Sequence, residues 1–169
     1  MSQDQRQTQR LVAVMASLMV TASLTACGGG SDAPAANAEP ADKYVGTWTS
    51  SCQGSESSGR SDKFQFELSK GGGTAVNGIY RLLAYSNVTC TGSPAGSQSI
   101  NFAFTIDSTG TAFGKVVDKT TVSQSFGGSG KQIFSVEGTV LYTSIGDPSP
   151  ILDPNGYPTD LNLGRPYTR

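Results

Sequence analysis

"DKFQFELSK", residues 62–70, decides the fold. Phe64, Phe66 and Leu68 alternate with Lys63, Gln65 and Glu67, so apolar side chains fall on one face and polar ones on the other. A period of two belongs to a half-buried strand. Outward from it, "SINFAFTID" (99–107) repeats the pattern with Ile100, Phe102, Phe104 and Ile106. "KQIFSVEGTVLYTS" (131–144) reads as two strands around a tight Glu137-Gly138 turn, where glycine supplies the positive φ such hairpins need. "GIYRLLAYSNV" (78–88) and "TAFGKVVDKTTVSQS" (111–125) are strand-like too, although Leu82 and Leu83 blur the alternation. Glycine clusters at 71–73 and 127–130 punctuate the runs as loops. The expectation is an all-β domain of about seven or eight strands. Sheet edges invite unwanted pairing, and closure removes them, which favours a small antiparallel up-and-down barrel. A β-sandwich is the alternative with the same periodicity.

Composition narrows the function classes. Charged residues are 15% of the 169-residue chain, the net charge is −1, and the lysines and arginines are scattered. A nucleic-acid binder carries a basic stripe, so no nucleic-acid partner is expected. The chain has no histidine, which removes the commonest general base and the commonest metal ligand together. An acyl-transfer triad lacks its base, and no spacing selects a carboxylate pair for glycoside chemistry. A non-catalytic protein without cofactor or metal is the expectation.

Two stretches imitate chemistry. "FGGSGKQ" (126–132) suggests a phosphate loop, but Ser125 stands where the first glycine belongs and Gln132 follows Lys131 where Ser or Thr is required. It reads as a hairpin loop. "GDPSPILDPNGYPTD" (146–160) offers Asp147, Asp153, Asn155 and Asp160 as calcium ligands, yet the glycine is misplaced and the bidentate Glu is missing. Pro154-Asn155-Gly156 is a strong turn sequence, and the proline-rich segment is expected to lie extended over one end of the barrel. Asn87-Val88-Thr89 also matches a glycosylation sequon.

The N-terminus carries an address. Arg6 and Arg10 precede an uncharged run, residues 11–26, that falls short of the roughly 18–20 residues of a membrane span. It suits a secretory signal. The run ends Leu24-Thr25-Ala26-Cys27, which resembles the lipobox of bacterial lipoproteins. The resemblance implies a signal peptide over 1–26, cleavage before Cys27, and diacylglyceryl attachment to its thiol. Several acyl chains, at roughly 0.8 kcal/mol per buried CH₂, anchor stably. Gly28 rather than Asp after the cysteine implies the outer membrane, facing the periplasm. The stretch from Gly28 to Asp42 has no large apolar side chain and reads as a disordered tether. That leaves residues 43–169 as the folded domain. Export also delivers the chain to an oxidising compartment, where two spare thiols pair. Cys52 and Cys90 are not in a C-x-x-C spacing and have no histidine to activate them, so a structural disulfide is expected. Closing that loop stabilises by roughly 4 kcal/mol in the chain-entropy model.

"YVGTWTSSC" (44–52) places Gly46-Thr47-Trp48 at the head of the first strand, and this resembles the G-x-W opening of lipocalins and their calycin relatives. The resemblance implies that Trp48 plugs the closed end of a barrel beneath a basic residue from near the last strand. Arg169 and Arg165 are the candidates, Arg169 first. The chain also resembles short proteobacterial lipoproteins with "GTW" after the tether and "DPNGYPTDL" near the end. Together these imply a lipid-anchored binding or accessory module of the cell envelope, holding a small apolar ligand. The alternative is a protein-interaction lipoprotein, such as an envelope assembly factor or an inhibitor of a cell-wall hydrolase.

Overall fold

The computed structural model describes residues 38–145 and 150–169. Cys27, the leader and Asp147 lie outside them. The alternating stretches become nine strands: β1 Gly46–Ser50, β2 Gln53–Ser55, β3 Arg60–Lys70, β4 Ala75–Tyr85, β5 Gly96–Ala112, β6 Lys115–Gln124, β7 Ser129–Glu137, β8 Val140–Thr143 and β9 Tyr167–Thr168. Every pairing is antiparallel, in the order β1-β9-β8-β7-β6-β5-β4-β3, and β1 returns to pair with β3. The ring therefore closes on eight strands, and the sandwich alternative is excluded. β2 is the additional strand and continues β1 along β3. Three residues lie between Thr49 and Gln53, where two lie between their partners Gln65 and Asp62. The extra residue is a bulge, and Cys52 sits in it.

Side chains from alternate positions fill the interior. Trp48, Phe66, Leu68, Val76, Phe104, Ile106, Val122, Phe134 and Leu141 form one buried cluster with Tyr44 and Tyr167. Gly78 is part of this packing, because a Cβ there would meet the Phe102 ring at 2.5 Å and Leu68 at 2.8 Å. The missing side chain is what lets Phe102 fold inward across β4.

The proline-rich segment lies elsewhere than expected. Its described part, from residue 150 on, covers the outer wall of β6–β8, not an end of the barrel. Val117 and Ile133 point outward and pack with Ala112, Tyr142, Tyr157 and Leu161 into a second buried cluster. The register sets this geometry. Asp118 pairs with Phe134 on the inner face, so their neighbours Val117 and Ile133 must face out. Ions and aromatic faces hold the strap: Lys119 bonds Asp153 at 2.6 Å, and Lys119 and Lys131 lie 5.3 and 4.4 Å from the Tyr157 ring centre.

The tether boundary also shifts. Residues 39–42, assigned to the tether by composition, pack on the barrel. Ala41 is buried and donates its N–H to the Gly73 carbonyl at 3.1 Å, and Lys70 reaches both Glu39 and Asp42. A backbone hydrogen bond and two ion pairs make this attachment, so a search for large apolar side chains passes over it.

Candidate functional site

One end of the barrel is sealed. A 3-10 helix, Asp42–Tyr44, precedes β1 and turns the Tyr44 ring into the barrel. Trp48 is fully buried and donates its indole N–H to the Tyr44 carbonyl at 2.7 Å. Arg169 lies across the Trp48 ring, 4.3 Å from its centre, and donates Nη1 to the Val45 carbonyl at 2.8 Å. The two sequence candidates for the barrel-closing pair, Trp48 and Arg169, are thus brought together. Gly46, at φ +132°, passes directly beneath the arginine, with the position of a Cβ only 3.8 Å from its side chain.

Sequence reasoning missed Asp118, which is buried inside the closed end. Its Oδ2 accepts the Tyr44 hydroxyl at 2.7 Å and Lys43 at 2.8 Å. Burial, and then the Asp118 charge, push the Tyr44 phenol far above its ordinary range. An acid in "KVVDK" reads as a surface residue. The one available signal is its even spacing with Thr120 and Val122. Both contacts fall on Oδ2 and tie the carboxylate to Lys43 and Tyr44 of the 3-10 helix.

From this seal an aromatic column runs through the barrel. Tyr44 meets Phe104 edge-on at 5.2 Å, and Phe104 stacks on Phe134 at 4.8 Å. Phe66 then touches Tyr167 at 4.8 Å, Tyr80 at 4.9 Å and Phe102 at 5.8 Å. Phe64 stacks on Tyr80 at 5.9 Å, and Arg165 covers the Phe64 ring at 5.0 Å. Arg165, the second candidate for the closing residue, therefore stands at the opposite end from Trp48.

At that end the column stops short. A cavity of about 140 Å³ opens there, lined by Phe66, Tyr80, Ile100, Phe102, Val122, Gln124 and Ile145. A further hollow of about 250 Å³ adjoins it along Gln124, the glycines of the β6–β7 turn and Gln132. Burial raises the Tyr80 phenol, while the Tyr167 hydroxyl and the Arg165 charge pull it back. The cup is thus apolar in its wall and polar at its rim. Its volume is close to that of an engineered cavity of about 150 Å³ that holds benzene. Ligand pockets for drug-sized molecules run about 300–1,000 Å³.

Beside the mouth, Cys52 and Cys90 are bonded, with their Cα atoms 5.8 Å apart. The bond ties the β2 bulge to the loop after β4. Asn87 in that loop is occupied, its Oδ1 accepting the N–H groups of Thr89 and Thr91. In the strap, Asp153 Oδ1 accepts the backbone N–H groups of Asn155 and Tyr157, both at 2.9 Å, while Oδ2 holds Lys119. Asp153 is therefore committed to a turn and an ion pair, and Asp160 joins no acidic cluster among the described residues. Searches of protein-family models, curated proteins and solved structures return no match to this chain.

Proposed function

We propose that the protein is a lipid-anchored, non-catalytic binding module of the bacterial cell envelope, held by Cys27 at the outer membrane and facing the periplasm. In this reading the barrel mouth is the binding face. One observation carries it: the interior is packed around Trp48, Phe104 and Phe66, and an aromatic cup of about 140 Å³ opens at the mouth. A group of about one ring fits the cup, either a small apolar ligand or the side chain of a protein. The cup alone is smaller than a pocket that encloses a drug-sized ligand, which favours the protein reading. Absence of histidine and the pairing of Asp118 Oδ2 with Tyr44 and Lys43 support a role without catalysis.

The test uses the whole chain in a Gram-negative host. Labelled palmitate is expected in the wild type and not in Cys27→Ser, which moves from the membrane fraction to the soluble periplasm. Wild type that takes up no label and stays soluble overturns the anchor. Native mass spectrometry of the released protein then examines the mouth. A small mass lost in Ile100→Trp identifies a ligand, and a bare protein identifies a partner side chain as the occupant. A retained mass indifferent to Ile100→Trp overturns the mouth as the binding face.

A further inference from the structure

We infer that the mouth takes an extended peptide segment of a partner protein, paired along a free edge of β5 with one apolar side chain in the cup. The inference rests on the mouth being the binding face and adds the chemistry of the partner.

The edge follows from hydrogen-bond parity. Backbone groups of successive strand residues point to opposite neighbours. Ile106 donates its N–H to the Thr74 carbonyl, on the β4 side. Asn101 accepts from the Ser125 N–H, on the β6 side. Even positions of this part of β5 therefore face β4, and odd positions face β6. The β4–β5 register runs unbroken from Ala75↔Thr105 to Ala84↔Gly96, so the parity extends to Ser97 and Ser99. β6 ends at Gln124, opposite Phe102, and its chain turns away at Ser125. Beyond that point Ser97 and Ser99 direct their N–H and C=O groups to the side where β6 has stopped. Among the described residues nothing pairs with them, and Gly96 to Ser99 are exposed.

Three features make this edge a receptor. Native edges are kept from pairing by charge, proline or a bulge, and the run Gly96–Asn101 has no charge, no proline and no register shift. Phe126, 70% exposed, stands at its foot in the β6–β7 turn. Ile100, between the open residues and Phe102, lines the cup, so a paired strand passes beside the cavity. Only a peptide backbone offers donors and acceptors at this repeat, with alternate side chains for the cup. The described chain begins at the other end, where residues 39–42 pack near Gly73.

A randomised decapeptide library displayed on phage is panned against the mature protein and against Ser99→Pro. Ser99 faces the free side, so proline there removes one edge N–H and leaves the β4 ladder intact. An unchanged melting temperature verifies the fold, and Phe126→Ser serves as a second variant. The expected peptides alternate apolar residues and slow amide exchange at Ser97 and Ser99 at least tenfold. They lose about tenfold in affinity on Ser99→Pro, the scale of a backbone hydrogen bond or two. Two results overturn the inference: no peptide that distinguishes wild type from Ser99→Pro and Phe126→Ser, or enriched peptides that leave Ser97 and Ser99 exchange unchanged. Protection without peptide that rises with protein concentration assigns the edge to a second copy of the chain and also overturns it. Benzene binding in the cup with no such peptide refutes this inference while sparing the mouth as the binding face.

Discussion

At the closed end, Trp48, Tyr44 and Asp118 are buried with their polar atoms bonded, and Arg169 lies over the indole as a lid. At the mouth, Phe64, Tyr80 and Ile100 are only half-buried, although the side chains are of the same kind, and Arg165 covers just one ring. The two ends differ in how the last ring is covered. The N-terminal helix turns Tyr44 inward and completes the packing at one end. At the other, β6 stops at Gln124 while β5 runs on to Gly96, and the packing is left unfinished. One end is fully packed and the other leaves aromatic surface partly exposed.

Truncating one aromatic at each end measures that difference most strongly. Trp48→Ala is expected to cost about 4 kcal/mol, the range for a fully buried aromatic. Phe64→Ala should cost about 1–2 kcal/mol, because part of that ring is already wet. Urea unfolding checks both values, and equal losses would erase the contrast. Next in size is the disulfide beside the mouth. Cys52→Ser with Cys90→Ser is expected to lower stability by about 2–4 kcal/mol while leaving native Trp48 fluorescence unchanged, since the bond and the indole occupy opposite ends. A shifted native emission would show that the ends are coupled.

Titration separates the interior from the strap. Lys119, and then the Tyr157 N–H, hold the Asp153 carboxyl below the usual carboxylate range. A depressed acid contributes stability above its unfolded value, about pH 4, and loses it as pH falls through the folded value. The strap should therefore loosen in acid first, read as shifts of the Tyr157 ring and the Asn162 amide that vanish in Asp153→Asn. Tyr44 is raised, so its contribution is complete below about pH 10 and is lost as pH rises above that. Tyr44→Phe should move the alkaline unfolding midpoint upward. The smallest contrast is between the two arginines. Arg169→Ala is expected to cost about 1 kcal/mol through its contact with the ring, and Arg165→Ala less than half of that, compared by thermal melting.

The barrel is legible in the sequence because its interior rings alternate so regularly at Phe64–Leu68 and Ile100–Ile106. Trp48 is legible by its place after Gly46, and the disulfide by the pairing of two spare thiols. The position of the strap is not, and the reason is physical. Ile133 and Phe134 are adjacent and both buried, which a strand shows when both its faces have contacts. Taken as imperfect alternation, they hide the outer cluster. The β5–β6 turn is hidden by Phe113, which adopts φ +50° where glycine or asparagine is the usual signal. The cup itself has no sequence signature, because it arises where the β6–β7 hairpin ends relative to β5, and periodicity does not report strand ends.

Benzene titrated into the methyl-labelled protein tests the unfinished mouth most directly. Methyl shifts confined to Ile100, Val122 and Ile145, and abolished by Ile100→Trp, are the predicted result. Shifts at Val76 and Leu141 near Trp48, or none anywhere up to saturation, would contradict it.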